Sequence, residues 1–207
     1  MSQPVHIGLD FDNTVAGYDR VFLGAAKKAG LLPEDFSGAK KDIRDAIYLR
    51  PDGEIEWQRL QGQVYGKLMP QAKMIDGVED FLLACRNREI PVSIISHKTE
   101  FGHFDRDRVC LHDAARDWMA DRGFFDGRRF ALATEDVYFE STRGDKIARI
   151  SEVGCSHFVD DLEEVFRDPC FPRDVDAVLY AGASDDLPTG PFTVCRDWQE
   201  ISDVILG

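Results

Sequence analysis

The sequence predicts an α/β protein: a doubly wound, mostly parallel sheet with a small helical part inserted after the first strand. Three observations predict it. Short apolar runs alternate with segments whose apolar residues recur three and four apart, the pattern of helices connecting parallel strands. Residues 34–75 carry helical spacing alone, so they read as an insertion lying beside the sheet rather than in it. Polar and acidic clusters follow several of the strand-like runs, at the edge where open α/β sheets hold their ligands.

Residues 5–9 are a short apolar run that ends in the polar cluster 10–14, which suits a buried strand delivering its last residues to a loop. Val21, Phe22, Ala25, Ala26 and Ala29 fall on one helical face, stopped by Gly30 and Pro33. Two further helical patterns follow, Ile43, Ala46, Ile47 and Arg50 in one and Trp57, Leu60, Val64, Tyr65 and Leu68 in the other, parted by Pro51-Asp52-Gly53. Behind Asp76-Gly77, Val78, Phe81, Leu82 and Cys85 predict a helix, and residues 91–96 the second strand. The polar stretch 96–110 reads as loop. Leu111, Ala114, Ala115, Trp118 and Met119 make another amphipathic helix, ended by Gly123, before a third strand at 137–140. Ile147, Ile150 and Val153 give a helix over 144–154, followed by strands at 155–159 and 175–181, a sixth at 192–195 and a closing helix at 198–205. The division expected is a core of residues 1–16 and 76–207 with a helical insertion at 17–75.

A chain of 207 residues with 43 % hydrophobic side chains can bury a sizeable core. Its 38 acidic against 25 basic residues give a formal charge of −13. Such a field repels phosphate backbones, so a nucleic acid polymer is excluded as a first expectation, and an anionic small molecule needs a cation beside it. The five cysteines are odd in number and include no Cys-x-x-Cys pair, which fits free thiols in a reducing cytoplasm. No basic head precedes a long apolar stretch, and the most apolar run, about residues 90–95, is broken by Pro91 and Ser93. A soluble cytoplasmic protein with no membrane partner is expected; oligomeric state is not readable.

Four clusters carry chemistry. Asp10-Phe11-Asp12-Asn13-Thr14 places two carboxylates two residues apart, where extended backbone points both the same way. Ser96 ends the second strand. Lys146 opens the helix before the fourth strand, with Arg143 close by, and Asp160-Asp161 follows that strand. Each alone also has a purely structural reading, as a turn, a cap or a solvated surface group. The order acid pair, hydroxyl, lysine, acid pair, each near the carboxyl edge of a successive α/β unit, is hard to assemble from unrelated accidents.

That order resembles the haloacid dehalogenase (HAD) superfamily, whose motifs are a strand-end Asp-x-Asp-x-Thr, a strand-end Ser or Thr, a Lys and a final acidic pattern. The resemblance spans most of the chain and implies a Rossmann-like core, with residues 17–75 in the place of the helical cap. It further implies a Mg²⁺-dependent phosphatase acting on a small phosphorylated metabolite through an aspartyl phosphate. Asp10 would be the nucleophile, and Asp12 the acid that protonates the leaving oxygen and then the base that activates water. Ser96 would hydrogen-bond the phosphoryl group, and Lys146 would neutralise charge shared by Asp10 and phosphate. Asp161 would hold Mg²⁺ with the Asp10 carboxylate and the Asp12 backbone carbonyl, and Asp160 directly or through water. Without a cation, four carboxylates would repel the phosphate. Asn13, Thr14, His97 and Lys98, which flank these positions, are expected to touch substrate, and the cap to close over the site.

Dehalogenase-like members lack the second acid and ion pumps carry Thr there, so Asp12 points to phosphate esters; Val15 stands where Leu is more usual. A phosphotransferase or phosphomutase on the same fold, or a binding protein that retains it, stays open as an alternative. His97, His103, Cys110 and His112, with Asp105 and Asp107, are zinc-ligand types, but their spacing matches no compact ligand pair, and they read as an ordered surface loop. Lys40, Lys41, Arg44, Arg50 and Arg59 form a basic set that could attract an anion, while Phe36, Trp57 and Tyr65 read as core.

Overall fold

The computed structural model describes residues 4–104, 107–182 and 187–207. In chain order its elements are β1 (Ile7–Leu9), β2 (Ala16–Gly17), α1 (Asp19–Lys28), α2 (Lys40–Tyr48), α3 (Gly53–Tyr65), β3 (Lys73–Met74), α4 (Val78–Asn87), β4 (Val92–His97), α5 (Leu111–Asp121), β5 (Val137–Glu140), α6 (Arg143–Val153), β6 (His157–Asp160), α7 (Glu163–Phe166), β7 (Asp176–Tyr180), β8 (Thr193–Cys195) and α8 (Trp198–Leu206).

Six strands form one parallel sheet in the order β5-β4-β1-β6-β7-β8. The chain runs outward from β1 through β4 and β5, then returns to build β6, β7 and β8 on the other side, so the winding reverses between β1 and β6. Leu9 stands opposite both Ile94 and Val159. The carboxyl ends of β4, β1 and β6 therefore emerge side by side.

The three residues of β1 hold this central place because every one of them is buried. Gly8 is required there by close approach: a Cβ would lie 2.5 Å from the Phe158 ring and 2.8 Å from the Cys155 sulfur. Helix α6 starts where the Thr142 hydroxyl accepts from the Asp145 N–H and stops at Gly154, whose φ of 73° is left-handed. Its inner residues Ile147 and Ile150 join Ile95, Phe158 and Leu179 in one buried cluster. Each such side chain contributes about 1.5–3 kcal/mol by leaving water, which is ample to fix a helix of this length. Trp198 of α8 packs on Phe81 of α4, ring centroids 5.0 Å apart.

Two compact units emerge from the contacts: one of residues up to 16, 74–98 and from 123 onward, the other of 17–73 and 99–122. The first holds the sheet. The second is helical, with Phe22 stacked on Trp57 at 4.9 Å and the Trp118 indole N–H donating to the Ala72 carbonyl at 2.9 Å. Trp57 is buried, whereas Tyr65 and Phe36 are half-buried.

The sequence division gave residues 99–122 to the core, and the contacts group them with 17–73 instead. An amphipathic pattern such as Leu111–Met119 shows that a face is buried but not against what. The paired strands β2 and β3 were not expected, since two residues are too few to show alternation. No helix among the described residues is long and apolar enough to cross a membrane.

Candidate active site

Three strand ends and the first turn of α6 deliver the site. Asp10 follows β1, and its N–H donates to the Val159 carbonyl at 2.9 Å, extending the β1–β6 ladder by one step. The Ser96 hydroxyl, near the end of β4, donates to Asp10 Oδ1 at 2.9 Å. Lys146 Nζ donates to the same oxygen at 2.7 Å and to Asp160 Oδ2 at 2.6 Å. All four residues are buried, Asp160 completely. A lysine in the first turn of a helix opposes the helix dipole; here the two carboxylates hold it.

Burial alone would push the Lys146 ammonium down, but Asp10 and Asp160 reverse this and hold it above the ordinary lysine range. Burial raises the Asp160 carboxyl to about 6 against the pull of Lys146, with the Asp10 charge adding to the rise. The Leu162 N–H donates to Asp160 Oδ1 at 3.0 Å.

The chain turns sharply after Asp10. Asn13 adopts φ 64°, a left-handed conformation that asparagine tolerates well, and the Val15 and Ala16 N–H groups both donate to the Phe11 carbonyl. This turn brings Asn13 Nδ2 and Thr14 Oγ1 within 3.4 and 3.5 Å of the Asp161 carboxylate oxygens. The Trp198 indole, 184 residues away, donates to the Thr14 carbonyl at 3.2 Å. Asp12 meets Lys98, whose Nζ lies 2.7 and 3.0 Å from the two carboxylate oxygens. Lys98 is itself buried, with its N–H bonded to the Glu140 carbonyl at 2.9 Å.

Asp10, Asp160 and Asp161 each offer a carboxylate oxygen, all within 4.8 Å of one another, and no other metal-competent cluster of His, Cys, Asp or Glu occurs among the described residues. An all-oxygen, anionic donor set of this kind fits a hard divalent cation such as Mg²⁺. The charges agree: four carboxylates (Asp10, Asp12, Asp160, Asp161) face two ammonium groups (Lys98, Lys146), leaving two formal negative charges.

The structure thus brings together Asp10, Ser96, Lys146, Asp160 and Asp161, ties Asn13 and Thr14 to Asp161, and ties Lys98 to Asp12. His97 is exposed, its ring nitrogen 3.0 Å from the Ser141 carbonyl oxygen. In the 97–112 loop, Asp107 pairs with Lys67, and Asp105 lies outside the described residues. Sequence reasoning expected Lys98 to touch substrate but foresaw neither its pairing with Asp12 nor the bond from Trp198 to Thr14. Lys98 had one available signal: it lies two residues beyond Ser96 and so on the same side of β4.

No family model matches this chain, and no curated protein matches it in sequence. Solved structures do match over nearly the whole chain. A HAD-superfamily hydrolase of subfamily IA from Geobacter sulfurreducens is 17 % identical, covering 98 % of this chain and 96 % of its own, with a TM-score of 0.56. A HAD-family hydrolase from Deinococcus radiodurans, solved with bound phosphate and sodium, is 15 % identical over 98 % and 96 %, TM-score 0.55. Protein Tyrosine Kinase A of Mycobacterium tuberculosis is 16 % identical over 99 % of each chain, TM-score 0.61. The chain has the fold of the HAD-superfamily hydrolases: a Rossmann-like α/β core built on a parallel six-stranded sheet.

Proposed function

We propose that this chain is a HAD-superfamily phosphatase that hydrolyses a small phosphomonoester through an aspartyl phosphate, with Mg²⁺ as its cation. The observation that carries the reading is the convergence on Asp10: a buried carboxylate with Ser96 and Lys146 on one oxygen and a carboxylate cluster alongside. Both donors reach Oδ1, which leaves Oδ2 as the attacking oxygen.

In the first step a bond forms between Asp10 Oδ2 and phosphorus while the bond from phosphorus to the ester oxygen breaks, and Asp12 gives that oxygen its proton. In the second, water oxygen bonds to phosphorus, the Asp10–phosphorus bond breaks, and Asp12 takes a proton from the water. Lys146 and Ser96 would stabilise charge gathering on the phosphoryl oxygens. Asp10, Asp160 and Asp161 would hold Mg²⁺, which supplies electrophilic charge to the phosphoryl group when bound. Asn13 and Thr14 support Asp161.

The test is turnover of p-nitrophenyl phosphate by the wild-type chain and Asp10→Asn, each with Mg²⁺ and with EDTA. Activity present only in wild type with Mg²⁺ is expected; an Asp10→Asn protein of undiminished turnover would remove the nucleophile. The same fold is found in a protein described as a tyrosine kinase, so fold alone does not separate hydrolysis from transfer. Release of inorganic phosphate in the presence of excess alcohol does.

A further inference from the structure

We infer that Lys98 is a positioning residue for Asp12, holding its carboxyl group in one orientation through both halves of the reaction. The inference rests on the phosphatase reading above and gives Lys98 a different task from direct contact with substrate.

The Lys98 side chain is only 2 % exposed, and its ammonium reaches both Asp12 oxygens, at 2.7 and 3.0 Å. Its position is fixed from two directions: the backbone N–H bonds to Glu140, and Nζ sits 5.6 Å from the centre of the Phe11 ring. The bond to both oxygens is what the chemistry requires. Asp12 must carry a proton in the first step and lack one in the second. A carboxyl group gripped through one oxygen loses its hold when that oxygen is protonated. Gripped through both, it keeps one oxygen on Lys98 whichever oxygen bears the proton, so the donor geometry survives each half-reaction.

The experiment compares two esters that differ in their need for a proton. Nitrophenolate leaves without one; the alkoxide of glycerol 2-phosphate does not. Because kcat/KM reports steps through phosphoenzyme formation, Lys98→Met should lower it on the order of 100-fold for glycerol 2-phosphate but less than about 5-fold for p-nitrophenyl phosphate. The same variant should release a burst of nitrophenol of up to one equivalent per chain, since the phosphoenzyme then waits for its base. Lys98→Arg, whose guanidinium can also grip two oxygens, should restore part of the loss with glycerol 2-phosphate. In an Asp12→Asn background, Lys98→Met should add less than about twofold.

An equal fall with both esters, or an undiminished further fall in the Asp12→Asn background, would overturn the assignment and make Lys98 a substrate-charge residue. Lys98→Gln, closer in polarity to the buried ammonium, carries the same ester contrast should the Met variant fail to give a native circular dichroism spectrum. Neither result touches the phosphatase reading, whose failure shows separately as wild type and Asp10→Asn being indistinguishable on both esters.

Discussion

Replacing Lys146 by methionine keeps the length of the side chain and removes the one charge that Asp10 and Asp160 share. In the wild-type protein the ammonium lies 2.7 Å from Asp10 and 2.6 Å from Asp160, and the side chains of all three residues are at most 6 % exposed. Without it Asp160 retains the Leu162 N–H and Asp10 retains Ser96, neither of which carries charge. Breaking a buried pair from one side costs about 3–5 kcal/mol. With a urea slope of roughly 2–3 kcal/mol per molar, the unfolding midpoint should fall by about 1–2.5 M, read by tryptophan fluorescence at pH 7 in EDTA so that no cation substitutes for the lysine. The sign of the pH effect follows. A carboxyl whose folded pKa is raised contributes stability below its unfolded value that is lost as pH rises through the folded one. Asp160 already stands at about 6 and rises further without Lys146, so the deficit should shrink as the pH falls from 7 to 5. Adding Asp160→Asn to Lys146→Met should likewise recover part of it. A Lys146→Met midpoint within about 0.3 M of wild type at pH 7 would refute the reasoning, because it would mean the two carboxylates do not depend on the ammonium.

Gly8→Ala should destabilise by about 1–3 kcal/mol, since its Cβ would enter the Phe158 ring, whereas Gly127→Ala, with no described atom within 4 Å of its Cβ, should be close to neutral in the same urea assay. Burial raises the thiols of Cys85 and Cys155 to about 12 and that of Cys195 to about 11. An aromatic disulfide reagent at pH 8 should therefore titrate Cys110 and Cys170 quickly and the other three only after denaturation, and five equally fast thiols would contradict the burial. Mg²⁺ should raise the melting temperature of the wild-type protein and leave Asp161→Asn unmoved, as a differential scanning fluorimetry titration would report.

Much of the site was legible because its parts are local. The apolar run before Asp10 marks a strand end, and Gly154 marks the helix stop that puts Lys146 in the opening turn of α6. Their meeting could be expected only through the order of the motifs, because adjacency at the sheet edge depends on β1 lying between β4 and β6. What the sequence could not show is pairing set by register. Lys98 reaches Asp12 because Leu9 stands opposite Ile94, and a one-residue slip of β4 would turn Lys98 to the other side. The basic set in the helical part was read as a feature that could attract anions. In the structure Arg44 pairs with Asp45, Arg59 pairs with Glu56, Arg50 bonds to the Leu31 carbonyl and the Lys40 ammonium lies over the Phe22 and Tyr65 rings, so local partners already engage four of those five charges.

Two local rules of stability are broken together at one place in this fold: carboxylates lie under cover, and a lysine is set against a helix dipole. Each costs free energy by itself, and neither is needed to close the sheet. Their concentration at the carboxyl ends of β4, β1 and β6 is therefore better explained by chemistry than by folding. The choice of β1 as carrier follows from the same argument. A strand of three residues has little hold of its own, but one hydrogen-bonded on both sides, with Gly8 letting Phe158 close on it, cannot shift without opening two ladders. The backbone bond from Asp10 to Val159 extends that rigidity to Asp10 itself. The buried carboxylates thus hang from a strand constrained on both sides, which is the arrangement that lets buried charge persist in a marginally stable protein.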